Sequence, residues 1–188
     1  MLEAVLTKQK VTYKALISVG LIALAVVLPQ LVHLALGQPG GVKWLPMYLP
    51  ILVGGCLMGA SWGAMIGLLS PLVSFAITSL MGNPMPAAAR LPFMMAELLV
   101  FAIVSGLFTK KIAKNGLWAF VGVIAAQISG RAVFLGLVAV FNSLVEFTPM
   151  MIWGQIKTGF IGLGVQAVIV PVAIILFKKL AFGDNAND

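Results

Sequence analysis

Charge is scarce in this sequence. Only 9% of its 188 residues are Asp, Glu, Lys or Arg, and five of them are acidic. A soluble domain carries about 25% charged residues, so this chain lacks the polar groups to cover a water-facing surface. Cysteine and histidine occur once each. The lone Cys56 excludes an internal disulfide and a multi-cysteine metal site, and reads as a small packing residue in an apolar, glycine-rich run. The lone His33 excludes a histidine pair for a metal. Paired carboxylates, a G-x-S-x-G elbow and a G-x-x-x-x-G-K-[ST] loop are missing too, which removes the usual residues for hydrolytic catalysis and for ATP hydrolysis by that route. The net charge is +7. Its lysines stand in short clusters between apolar runs, with no aromatic–basic platform, and this argues against a nucleic-acid partner.

What the chain has in abundance is apolar length. Hydrophobic residues make up 61% of it, and the mean hydropathy is +1.11. A bilayer core of about 30 Å asks for about 20 helical residues at 1.5 Å each. Six runs reach or approach that length, at about 13–36, 44–60, 63–81, 91–109, 117–144 and 155–180. They are continuous and show no period-2 alternation, so helices are expected rather than barrel strands. The first run is too long for a signal-peptide core and five more follow it, so it is read as a retained helix. The expected fold is an all-α integral membrane protein, a single membrane domain over 1–188 with six transmembrane helices.

Crossing six helices in order puts Lys8, Lys10, Lys14, Lys110, Lys111, Lys114, Lys178 and Lys179 on one side, and only Lys43, Arg90 and Lys157 on the other. The positive-inside rule then places both termini in the cytoplasm. The outer connections "GQPGGVK", "GNPMPAAARLP" and "EFTPMMIWG" are longer and richer in Pro and Gly, as function-bearing loops often are.

The polar residues gather toward that outer side. Arg131 lies about 21 Å along the fifth helix, Glu97 near the outer start of the fourth, and His33 about 30 Å along the first. Gln127 and Arg131 share a face at i, i+4 spacing, and Asn142 falls near the same face. A charge in lipid costs about 2.5–3.5 kcal/mol even on the mildest scale, so Arg131 and Glu97 must face each other, a cavity, or both. Arg131, Gln127, Asn142 and Tyr48, with Trp44 and Phe134 as stacking surfaces, suit a compact polar molecule with a ring or a carboxylate. Glu97, His33, Asn83 and Arg90 complete the candidate set. Each has a plainer reading as well: a structural ion pair, a helix-end hydrogen bond, a helix bridge, a cap, an interfacial belt residue or a solvated loop charge.

"LPMYLPILVGGCLMG", residues 45–59, combines prolines at a helix start with glycines inside it. Pro46 and Pro50 lose little there, because first-turn N–H groups have no helical partner. Gly54, Gly55 and Gly59 are expected to let neighbouring backbones approach. The preceding "GQPGGVKW" is expected to be a loop, either a lid over a pocket or a rigid connection.

This stretch resembles the L-P-M-H-I-P-V-L-L-A-G segment of substrate-binding S components of energy-coupling factor (ECF) transporters. "GLLSPLVSFAITSLMGNPMP", "MMAELLVFAIVSGLF" and "GRAVFLGL" resemble the family's next blocks in the same order, so the likeness covers about residues 20–140. Tyr48 stands where the family pattern has histidine. The resemblance implies an S-component-like bundle in the bacterial cytoplasmic membrane that binds a small water-soluble vitamin or precursor with nanomolar-class affinity. It implies partners as well, a transmembrane coupling subunit and two cytoplasmic ATPases. ATP and Mg would then reside on those subunits, and this chain would need no cofactor of its own. It further implies that the subunit topples in the membrane lipid to present its site inward, docking through small residues of the first helix, here Ala15, Val19 and Ala23. Among vitamins, a hydroxymethylpyrimidine- or pyridoxine-like ring ranks first and pantothenate close second. An intramembrane enzyme and a structural subunit without ligand remain the alternatives.

Overall fold

The computed structural model describes residues 2–141 and 148–182. The described residues are helical apart from short connections: α1 (Leu2–Trp44), α2 (Tyr48–Met58), α3 (Ala60–Leu80), a 3-10 turn (Ala88–Arg90), α4 (Leu91–Leu107), α5 (Thr109–Lys114), α6 (Trp118–Phe141) and α7 (Pro149–Phe182). Six segments are long and apolar enough to cross a membrane: Val11–Gly37, Pro39–Met58, Ala60–Leu80, Ala88–Leu107, Trp118–Phe141 and Trp153–Lys179. The expected all-α membrane architecture with six crossings is what the chain forms.

Two local expectations change. "GQPGGVKW" is helical rather than a loop, because α1 breaks at Gly37 and resumes as a short turn to Trp44. Gly37 takes φ +69°, a left-handed conformation open to glycine at little cost. Pro39 lies one residue into the resumed turn, where a missing N–H matters least. The second crossing therefore starts at Pro39, five residues before the expected Trp44. Gly59 is not a packing glycine inside a helix. At φ +88° it forms the whole hinge between α2 and α3.

The core is built around α4, which packs against α2, α3 and α6. Small residues permit this. A Cβ on Gly67 of α3 would press on the Leu98 carbonyl, one on Gly106 of α4 on the backbone of Ala60, and one on Gly55 of α2 on Ser105 and the Ala102 carbonyl. In lipid such close backbone approach replaces the hydrophobic effect as the driving force between helices. Leu98, Phe101 and Ala102 are consequently fully buried. The freed polar groups are satisfied within the bundle: Ser105 Oγ donates to the Phe101 carbonyl at 2.8 Å, and Thr109 Oγ1 to the Gly55 carbonyl at 3.1 Å.

The two ends of the bundle differ. At one end Lys111 lies over the rings of Trp118 and Phe108, 4.5 and 5.5 Å from their centroids, and Lys178 Nζ donates to the Ala113 carbonyl at 2.7 Å. At the other end the 3-10 turn, the 37–47 segment and the start of α7 meet. The concentration of lysines marks the first as the cytoplasmic end by the positive-inside rule.

Candidate functional site

The outer end encloses two neighbouring chambers. The larger holds about 560 Å³ and is lined by Pro29, His33, Val42, Met47, Tyr48, Asn83, Met85, Arg90 and Met94, among others. The smaller holds about 150 Å³ and shares His33, Tyr48, Arg90 and Met94 with the first, adding Glu97, Arg131, Phe134 and Gln155. The larger volume falls within the 300–1,000 Å³ typical of small-molecule sites.

Each wall is fixed by a local device. On one side, Ser74 Oγ donates to the Met85 carbonyl at 2.9 Å, and the Met85 N–H donates to Thr78 Oγ1 at 2.7 Å. These bonds tie the loop carrying Asn83 down onto α3. On the opposite side, Gly41 sits so close to His33 that any side chain there would collide with the imidazole. The 38–44 turn is then held from α7. Gln166 Nε2 donates to the carbonyls of Trp44 and Leu45, both at 2.9 Å, and Gly162 leaves room for the carbonyls of Lys43 and Trp44 to approach. Leu45 carries φ +48°, an uncommon conformation for a branched residue that only such fixation sustains.

The floor is ionic. Glu97 is fully buried. Its Oε2 accepts from the Tyr48 hydroxyl at 2.9 Å, and its Oε1 lies 3.0 Å from Arg131 Nη1. The Arg131 guanidinium also stands 5.0 Å from the Tyr48 ring centroid, within cation–π range. Nε and Nη2 of Arg131 are buried without a hydrogen-bond partner, as is Nδ1 of His33. At the rim, Arg90 meets Gln155. With the amide oxygen turned to the guanidinium, Gln155 accepts from Nη2 at 2.6 Å and from Nη1 at 3.1 Å.

The structure thus brings together Tyr48, Glu97, Arg131, Arg90, His33 and Asn83 from five separate stretches of chain. It does not bring Gln127 or Trp44 to the chambers. Gln127 bridges helices, donating through Nε2 to the Leu163 carbonyl at 3.0 Å. Trp44 is 36% exposed, with Lys43 near its ring, and contributes its backbone carbonyl to Gln166. Asn142 lies outside the described residues. Gln155 and Met94 line the smaller chamber without having been singled out from sequence. Gln155 opens the sixth apolar run, and its place opposite Arg90 depends on a pairing 65 residues apart. The small-residue face of α1 is open: Val19 is 64% exposed, Ala23 is exposed and Ala15 half-buried.

Among the described residues no three His, Cys, Asp or Glu side chains gather as a metal ion needs. The arrangement sets buried donors of Arg131 at the base of the smaller chamber, beside the apolar side chains of Met94 and Phe134. Nothing among curated proteins or solved structures matches the chain. The family model described as "ECF transporter, substrate-specific component" matches residues 14–174. A match over most of the sequence, on a six-crossing helical bundle, makes this chain a member of the family of substrate-specific components of ECF transporters, membrane subunits that work with the ATPase and transmembrane subunits of those transporters.

Proposed function

We propose that this chain is the high-affinity binding subunit of an ATP-driven importer for a small water-soluble vitamin or vitamin precursor, loaded from the outer side. The observation that carries this reading is the pair of chambers beneath the outer rim, whose floor holds buried ionic groups inside a lipid-solvated bundle. Intramembrane charges facing a cavity mark a substrate path by default, because exposure to lipid would cost them several kcal/mol. Energy must come from elsewhere. The transmembrane coupling subunit and two cytoplasmic ATPases would bind ATP and Mg, while this chain binds and releases cargo and carries out no chemistry.

The lining reorders the ligand ranking. With Gln127 and Trp44 turned away, the amide and stacking contacts that favoured a neutral pyrimidine or pyridine ring are fewer. Nε and Nη2 of Arg131 are buried donors that an acidic group of a ligand would satisfy, and this favours a compact acid of the pantothenate kind over the neutral heterocycles. Native mass spectrometry of the full chain, purified in detergent, tests the reading. A stoichiometric small polar molecule is expected to stay bound and to be lost in Arg131→Gln. Retention of no small molecule, or turnover of a lipid or peptide without ATPase partners, would overturn the reading.

A further inference from the structure

We propose that Tyr48 is the specificity-determining positioning residue of the site: by holding one oxygen of Glu97, it leaves the Nε–Nη2 edge of Arg131 for a carboxylate-class group of the substrate. This inference rests on the binding-subunit reading above and assigns the residue that keeps the acid-binding donors open.

Tyr48, Glu97 and Arg131 line the smaller chamber together. A carboxylate that serves only to neutralise an arginine commonly takes two parallel N–H donors with its two oxygens. Glu97 is divided instead. Its Oε2 accepts from the Tyr48 hydroxyl at 2.9 Å, and its Oε1 lies 3.0 Å from Arg131 Nη1. Nε and Nη2, the donor pair that fits a carboxylate side-on, stay buried without a hydrogen-bond partner. Such donors are costly to bury. A Glu97 free to turn both oxygens to Arg131 would remove part of that cost within the protein, and the Tyr48 hydroxyl stands in the way of that closure.

Tyr48 is itself firmly placed. It is buried, its ring packs against Phe101 at 5.0 Å between centroids, and the Arg131 guanidinium stands 5.0 Å from its ring centroid. The ring supports the guanidinium while the hydroxyl restrains the counter-ion. Arginine has five N–H donors, enough to serve Glu97 and a second carboxylate at different edges. A neutral alcohol or amide of the same shape brings one acceptor oxygen to two donors and leaves one of them unpaired.

The test uses the full chain in detergent micelles, with pantothenate against pantothenol and nicotinate against nicotinamide as probes in calorimetric titration. At least one acid is expected to bind about tenfold or more tighter than its neutral partner. Tyr48→Phe keeps the ring and removes only the hydroxyl. It should bring that ratio down toward one, while the thermal unfolding midpoint of the ligand-free protein stays within about 2 °C of the parent. The same change made in Glu97→Gln should leave the ratio where Glu97→Gln alone puts it, because an amide has one acceptor oxygen and cannot close on two donors. A Tyr48 that merely packs the chamber would weaken acid and neutral partner alike, and equally in both backgrounds. That result overturns the inference, as does an acid preference untouched by Tyr48→Phe, or a Tyr48→Phe chain that melts well below the parent or does not fold. A parent that binds no acid more tightly than its neutral partner overturns it too. Each of these outcomes leaves the binding-subunit reading intact when the purified chain carries a small polar molecule, whereas a chain that holds no molecule at all defeats that reading.

Discussion

Glu97 and Arg131 show how a charge survives inside lipid. Neither reaches water through a long side chain. The two form an ion pair at 3.0 Å, and Tyr48 supplies a hydrogen bond to the carboxylate. Removing one member leaves the other buried and unpaired, which costs about 3–5 kcal/mol, while replacing both with apolar residues of similar size is often neutral. Glu97→Leu is therefore expected to lower the unfolding midpoint sharply in detergent, and Glu97→Leu with Arg131→Met to recover most of the loss while binding no substrate. An unchanged midpoint in the single variant would remove the pair from the support of the fold. That these two charges face each other, a cavity or both is legible in the sequence, because opposite charges at similar depth in apolar helices have few other solutions. The third partner was less so. Tyr48 reads equally well as a belt residue, and only the depth at which α2 begins puts its hydroxyl on Glu97.

Helix by helix, length was easier to read than rotation. Uninterrupted apolar runs announce crossings, since about 20 residues are needed to span the bilayer core. When every face of a helix is apolar, however, nothing in the run says which side looks inward. Gln127 is one helical turn from Arg131, yet it meets the Leu163 carbonyl on α7. Gln155 looked like a mere helix start, yet it faces Arg90. The turn at 38–44 departs from the expected loop: Gly and Pro are loop markers in water, whereas here a glycine at φ +69° breaks the helix and a proline restarts it. Glycines also divide sharply by role. A Cβ on Gly106 would lie 2.6 Å from the Ala60 Cα, while one on Gly136 would meet nothing within 4 Å. Gly106→Val is expected to cost about 1–3 kcal/mol or more by overpacking and to lower the yield of monodisperse protein on size exclusion. Gly136→Val should behave as the parent. Equal behaviour of the two would deny that α4 is held by close backbone contact.

Across the whole molecule, polarity is segregated along the membrane normal, with the two chambers at one end and Lys111, Lys114 and Lys178 at the other. Cys56 is buried, so an introduced cysteine reports alone: Asn83→Cys should react with a membrane-impermeant maleimide on intact cells, and Lys114→Cys only after the membrane is opened. The reverse pattern would invert the proposed direction of loading. The same segregation separates binding from coupling. On α1, Ser18 turns inward, donating to the Lys14 carbonyl at 2.9 Å and lying 3.8 Å from the Met58 sulfur. Val19 and Ala23 look outward, and a Cβ on the neighbouring Gly20 would meet nothing within 4 Å. Lipid tolerates such a face, but small residues there also let a second helix approach closely, as docking on a transmembrane coupling subunit requires. A bulky side chain would hold that helix away without touching the chambers at the far end of α1. Ala23→Trp and Ala15→Trp are therefore expected to lower ATP-driven uptake about tenfold or more, the effect of losing roughly 1.4 kcal/mol of docking energy, while the isolated subunit retains its substrate affinity. Uptake at the parental rate in both variants would move the docking surface to another helix, and a parallel loss of binding would show that the chambers and this face are not independent.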